Sequence, residues 1–150
     1  FAGLMTAVTL VCGVGIQSIG RGIDTHRSAR ASVIAMTVIA AGVSLAVLAV
    51  STSALSAGLL AAAVLGCGYG LALVAGLSEV QRLAEPEDLG AVTAVFYSLT
   101  YLGFFIPMIC AGLNTWLSYP TMLLVGAVLA TLTLIEVAVA WSAHLPGAHD

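Results

Sequence analysis

Residues 20–50 decide the fold: GRGIDTHRSAR at 20–30 is followed by ASVIAMTVIAAGVSLAVLAV at 31–50. The first stretch holds three arginines, and the second is a run of about twenty residues without a charge. An α-helix of that length rises about 30 Å, the thickness of the hydrocarbon layer of a bilayer. The pair of stretches therefore predicts a membrane-spanning helix that follows a charged loop.

The same alternation recurs along all 150 residues. Four arginines, seven acids and no lysine are present, and nearly all of them lie at 20–30 and 79–89. Apolar residues make up 61% of the chain, above the roughly 45–50% of soluble domains. We predict an all-α membrane protein with five transmembrane helices and a cytoplasmic tail, at about 1–19, 31–50, 55–78, 90–113, 120–141 and 142–150.

Two other classes of protein are excluded by these patterns. None of the five segments has the polar face that a helix of a soluble bundle would keep. Four arginines are too few for the basic surface that binds nucleic acid. We therefore expect the lipid bilayer as a partner and no nucleic acid.

The placement of arginine predicts the orientation in the membrane, because loops rich in arginine remain in the cytoplasm. The loop at 20–30 holds three of the four arginines, and the loop at 79–89, two crossings later, holds the fourth. The other two connections carry no charge, and one has Trp116, an aromatic residue suited to the opposite interface. We predict a multi-pass protein of the cytoplasmic membrane with loops 20–30 and 79–89 and the C-terminus in the cytoplasm.

Small residues predict where the helices pack, because close approach drives helix association in lipid. The third helix carries them at four-residue spacing along one face, at Gly58, Ala62, Gly66 and Gly70. The first helix has small residues in a similar register at Gly3, Ala7 and Gly15. We interpret both sets as packing faces, a reading compatible with surfaces that slide during a transport cycle.

The fourth helix combines hydroxyl groups with a proline. Thr93, Tyr97 and Tyr101 recur every four residues beside Thr100, and Pro107 lies further along the same segment. Proline lacks an N–H and leaves the carbonyl four residues earlier without its donor, which favours a kink. The pattern fits a bending helix that lines a cavity, and equally an ordinary kink with tyrosines at helix contacts.

Residue patterns for enzymatic, metal or cofactor chemistry are weak. The three cysteines stand singly in apolar stretches, where a small buried hydrophobe is the favoured interpretation over a redox or metal site. The three histidines are scattered, so we predict no catalytic residue, no metal site, no cofactor and no enzyme. Glu136 is a candidate proton carrier near the end of the fifth helix, and an interfacial position for it is the favoured alternative.

The loop at 20–30 resembles the loop signature of the major facilitator superfamily, in which a glycine, an aspartate four residues later and basic residues join two helices. Gly20 and Asp24 match this signature, whereas Thr25 stands where a basic residue is usual. The stretch VQRLAEPEDLG at 80–90 looks like the connection into the penultimate helix of that family. The stretch YLGFFIP at 101–107 looks like the Gly/Pro-bearing helix that follows.

The resemblance covers the whole chain and implies helices eight to twelve of a twelve-helix transporter, that is, part of a major-facilitator-type bundle. Helices two to six are the alternative, since the two halves of the fold are related repeats. The chain begins at Phe1 inside an apolar run. We therefore expect a piece of a longer protein whose missing N-terminal half is a partner.

Site residues also follow from the resemblance. It implies that the first, third and fourth helices face the substrate cavity or the other half, and that the 20–30 loop latches a cytoplasmic gate. The cavity or interface candidates are Gln17, Tyr69, Tyr97, Thr100 and Tyr101. The gating loop candidates are Gly20, Asp24, Arg27 and Arg30, and Pro107 is the kink.

The expected function is secondary active transport of a small organic solute, a drug-like compound or metabolite, by alternating access. Efflux by exchange for protons is the form that the resemblance implies. The alternatives are a structural or assembly subunit of a membrane complex, which would need no polar cavity, and a membrane enzyme, which would need a cluster of catalytic side chains.

Overall fold

A computed structural model describes residues 2–23 and 30–143. Within these ranges the chain is helical and has no strand. Five segments are long and apolar enough to cross a membrane, which confirms the predicted class at that level. The helices are α1 (Ala2–Ile23), α2 (Arg30–Thr52), α3 (Leu55–Leu83), α4 (Leu89–Leu102), α5 (Ile106–Leu113) and α6 (Tyr119–Ala143).

Two helices continue beyond the ends that hydropathy suggested. The first runs on to Ile23 and the third to Leu83, so Gly20 and Glu79 are helical rather than loop residues. The 29 residues of α3 span about 43 Å, longer than the roughly 30 Å hydrocarbon layer. Its polar last turns can therefore reach past the apolar layer. The extended backbone at Ala84 ends the helix, two residues before Pro86.

The central helix is α3, and its glycines let α1 approach closely. A Cβ at Gly66 would overlap the carbonyl oxygen of Thr9, and a Cβ at Gly70 would overlap that of Gly13. The Thr9 hydroxyl also donates a hydrogen bond of 3.2 Å to the Ala62 carbonyl of α3. The predicted packing face of α3 is thus confirmed at Gly66 and Gly70, where the two backbones touch.

The predicted packing face of α1 is wrong. Gly3 and Gly15 have open space where a Cβ would stand, and Ala7 is exposed. The residues that meet α3 are instead Gly13, one turn after Thr9, and Gly20 one heptad later. The regular spacing of small residues on α1 predicted the wrong packing face, because small residues lie on more than one face of this helix.

A different face of α3 packs against α2. A Cβ at Gly68 would come within 2.7 Å of the Ile39 side chain, and one at Gly42 would come within 2.8 Å of Leu65. Ala35, also on α2, is fully buried. Among the described residues the core consists mainly of alanine and glycine, as expected where helices associate in lipid through close backbone approach.

The remaining helices lie at the periphery. No residue of α4 or α5 is buried, and the Phe96 ring of α4 lies against Gly76 of α3. One 3-10 turn, Gly103–Phe105, separates α4 from α5. The Gly103 carbonyl, expected to be free, accepts the N–H of Ile106. Pro107 occupies the start of α5, where its missing N–H costs little, and the kink there stays a prediction.

Candidate functional site

A polar cavity lies between α1, α3 and α4, toward the end of the bundle where α1 and α3 finish. Its volume is about 480 Å³, within the roughly 300–1,000 Å³ range of small-molecule sites. We call it the polar cavity. It is lined by Gln17, Arg21, Leu73, Val74, Leu77, Ser78, Gln81 and Tyr97.

Helical spacing brings these polar groups together. Gln17 and Arg21 are four residues apart on α1, and Ser78 and Gln81 are three apart on α3, so each pair lies on one helix face. The close contact of α1 with α3 sets the distance between the two pairs. Tyr97 of α4 supplies a third wall with a phenol group. The apolar residues of the lining all come from α3.

The charge in the polar cavity is positive. Arg21 is the charged group among its lining residues, and no described acid lines the cavity or pairs with Arg21. The nearest acid along α3, Glu79, forms an ion pair with Arg82 one turn later. The cavity thus combines one guanidinium, two amides and two hydroxyls, a set rich in hydrogen-bond donors.

A second cavity of about 370 Å³ lies on the other side of α4. It holds two of the candidates, Tyr69 and Thr100, in an otherwise mainly apolar lining from α2, α3, α4 and α6. The Thr100 hydroxyl donates to the Phe96 carbonyl of its own helix at 2.9 Å, so this donor is already in use. Leu73 lines both cavities, and the rings of Phe96 and Tyr97 meet edge to face between them.

The last cavity candidate, Tyr101, is 60% exposed and lines neither cavity. Its ring stacks on Tyr97 and on Phe104, with centroid distances of 6.3 and 6.1 Å. Tyr97, Tyr101 and Phe104 form a continuous aromatic stripe along the outer face of α4 and the turn after it. The structure therefore places the five candidates in two cavities and one exposed stripe rather than in one site.

The gating loop is described only at its two ends. Gly20 lies within α1, where a Cβ would come within 3.1 Å of the Leu71 side chain of α3. Arg30 is the first residue of α2. Asp24 and Arg27 lie outside the described residues, so their predicted role at a gate stays a prediction.

The other groups with chemical potential do not form a site. Glu136 lies on the exposed face of α6. The thiols of Cys12 and Cys67 interact across the contact of α1 with α3, whereas Cys110 stands on α5. Within the described ranges no group of three or more His, Cys, Asp or Glu residues could hold a metal ion.

Three polar residues of the polar cavity were missed from the sequence: Arg21, Ser78 and Gln81. Each was assigned to a loop or to a helix end, because hydropathy ended α1 and α3 too early. The four-residue spacing of Gln17 and Arg21 was the available signal, since it extends a polar face into the charged segment. The partner face on α3 could not be read without knowing which helices touch.

The fold and the cavity define an all-helical, multi-pass type of membrane protein with a positively charged, solute-sized cavity near one end of its bundle. Comparisons with protein-family models, with curated proteins and with solved structures returned no match for this chain.

Proposed function

We propose that this chain is part of a secondary active transporter of the major facilitator type, in the position of its helices eight to twelve. It would move a small organic solute across the cytoplasmic membrane by alternating access, as an efflux carrier coupled to protons. The observation that carries the proposal is the polar cavity, a solute-sized space lined by five polar side chains at one end of an apolar helical bundle.

Part of this cavity is costly unless it is used. Arg21, Gln81 and Tyr97 are exposed, whereas Gln17 and Ser78 are only partly exposed, and polar side chains that lose hydration within a membrane bundle are rare and mark solute or ion pathways. Alanine or leucine at Gln17 or Ser78 would pack the bundle at lower cost. A purely structural subunit has no need of the cavity, which favours the transporter over that alternative.

The bundle also has the mechanical parts that alternating access needs. Backbone contact at Gly66 and Gly70 joins α1 and α3 closely enough to move as one body. The exposed aromatic stripe on α4 offers a surface for a second half of the carrier. In this proposal the two halves rock about the solute, with Tyr97 shared between the stripe and the polar cavity.

The gate belongs to the loop that follows α1. In the proposal, the Asp24 carboxylate accepts hydrogen bonds from amides at a neighbouring helix N-terminus, helped by the helix dipole. Gly20 supports this role, because its close contact with α3 would pass any movement of the loop to the wall of the polar cavity.

The test is proton flux in vesicles that contain the full-length carrier and a pH-sensitive dye. A panel of drugs, sugars and organic acids is added to wild type, Gln17→Ala and Asp24→Asn. We expect at least one compound to change the internal pH, and both substitutions to slow that change about tenfold or more. Val128→Ala on the exposed face of α6 is the matched control and should behave as wild type.

The outcomes separate the alternatives. A solute-dependent flux that neither substitution impairs would contradict the placement of the solute in the polar cavity. Uptake of labelled solute without a pH change would remove proton coupling and keep the carrier. Neither flux nor uptake with any compound would overturn the proposal and favour a structural subunit.

A further inference from the structure

The polar cavity carries a positive charge for which the described part of the chain supplies no counter-ion. Arg21 lines the cavity, and the described acids neither line it nor pair with Arg21. The neighbouring arginine on α3, Arg82, is held by Glu79 in an ion pair at the exposed end of the helix. Among the described residues, Arg82 is therefore paired, whereas Arg21 lines the cavity without an acidic partner.

The groups around Arg21 are suited to oxygen anions. Guanidinium presents a planar fork of N–H donors that matches a carboxylate or phosphate. Gln17 and Gln81 each add an amide with two donors, and Ser78 and Tyr97 each add a hydroxyl. An anion in the cavity could thus be held by donors from three helices, with the apolar wall of α3 left for the rest of the molecule.

The helix dipoles do not prevent such binding. The carboxyl-terminal ends of α1 and α3 carry partial negative charge, which opposes an anion. That field is strongest over the last turn, where Arg21 and Gln81 lie, whereas Gln17 and Ser78 lie more than one turn before Ile23 and Leu83. The full charge of Arg21 acts at shorter range on anything bound between these walls.

We propose that the polar cavity binds the anionic head of an amphiphilic organic anion, a carboxylate or phosphate, with Arg21 as its counter-ion. The apolar body lies along Leu73, Val74 and Leu77 and against the Tyr97 ring. This inference rests on the proposed transporter, since it names the chemical class of the solute. The same head chemistry could arrive on a free solute or on an anionic lipid.

The test is calorimetric binding of naphthalene-2-carboxylate to the full-length protein in nanodiscs of phosphatidylcholine. Its neutral isostere, 2-naphthalenemethanol, is titrated in parallel. We expect the carboxylate to bind at least tenfold more tightly than the alcohol. Arg21→Gln should remove this preference, and Arg21→Lys should keep part of it by retaining the charge.

The control is Arg82→Gln, which removes an arginine from the same end of the bundle but outside the polar cavity. We expect it to change carboxylate binding less than twofold. Equal losses in Arg21→Gln and Arg82→Gln would overturn the proposal, because a general surface potential would then explain them. Equal affinity for the acid and the alcohol would overturn it as well. Elution as a single symmetric species checks that each variant is folded.

A second arm distinguishes the source of the anion. The negative surface of nanodiscs with about a third phosphatidylglycerol repels any carboxylate, so binding should weaken by about a few-fold and keep its dependence on Arg21 if a free solute is the occupant. Two results together would assign the site to a lipid head. Carboxylate binding would be lost in these nanodiscs, and native mass spectrometry would find phosphatidylglycerol retained by wild type and lost from Arg21→Gln. Arg21-dependent binding without any transport would support the anion site and contradict the proposed transporter. Transport of solutes that does not depend on Arg21 would support the transporter and contradict the anion site.

Discussion

The span of α3 and the span formed by α4 and α5 are both apolar enough for a membrane, yet they pack in opposite ways. In the most apolar segment of α3, 33% of the residues are buried in the bundle, whereas in that of the span Leu89–Leu113 none are buried. The difference lies in small residues. Backbone contacts are made at Gly66 and Gly70 of α3, whereas the outer face of α4 carries the bulky aromatic stripe.

The comparison shows that hydropathy and packing are separate properties of a membrane helix. Lipid tails are as apolar as leucine, so a leucine face gains little by leaving them for another helix. A glycine face gains contact with a backbone that no lipid can reach as closely. The helices α1, α2 and α3, here called the α1–α2–α3 body, are therefore held together by contacts at their glycines. The helix α4 presents a surface for lipid or for a second bundle.

The largest expected effect is in the α1–α2–α3 body. Gly66→Ala places a Cβ against the Thr9 backbone, which cannot rotate away, so α1 and α3 must separate. We expect a loss of about 3 kcal/mol in unfolding free energy, read as a large fall in the fraction folded after heating in detergent. In the proposed carrier, binding of the solute in the polar cavity should weaken as well.

The control for this substitution is Gly112→Ala on α5, where a Cβ would meet open space. Alanine favours a helix over glycine by about 1 kcal/mol, so this variant should be neutral or slightly more stable. Equal destabilisation by the two substitutions would mean that α1 and α3 do not touch at Gly66. It would contradict the tighter packing of α3 compared with the span of α4 and α5.

The five spans could be predicted because charge and length are local properties of the sequence. The close approach at Gly66 and Gly70 could be predicted for the same reason, since one helix carries the whole pattern. The polar cavity could not, because Gln17, Ser78 and Tyr97 come from three helices whose contacts are set by packing. The family resemblance grouped Tyr101 with Gln17 and Tyr97, and the structure turns Tyr101 outward onto the aromatic stripe.

An intermediate effect is expected where the two regions meet. In Gly76→Ala the new Cβ would lie 2.6 Å from the Phe96 ring, a flexible side chain that can rotate. We expect a loss of about 1 kcal/mol in unfolding free energy, because the ring moves and the backbone does not. The measurement is the fraction folded after heating in detergent. Adding Phe96→Leu should recover most of the loss. A double variant no more stable than Gly76→Ala would show that the ring is not what the methyl group meets.

The smallest effect concerns the hydrogen bond from the Thr9 hydroxyl of α1 to α3. Thr9→Val keeps the shape of the side chain and removes the hydroxyl, which donates to the Ala62 carbonyl of α3 at 3.2 Å and to the Met5 carbonyl of its own helix at 2.9 Å. Hydrogen bonds between membrane helices contribute about 0.6 kcal/mol on average, so the loss should be of that size. Thr133→Val on α6 is the control, because its hydroxyl donates to Leu129 of its own helix. A Thr9→Val loss as large as that of Gly66→Ala would assign the cohesion of the α1–α2–α3 body to polar bonds rather than to backbone contact at glycine.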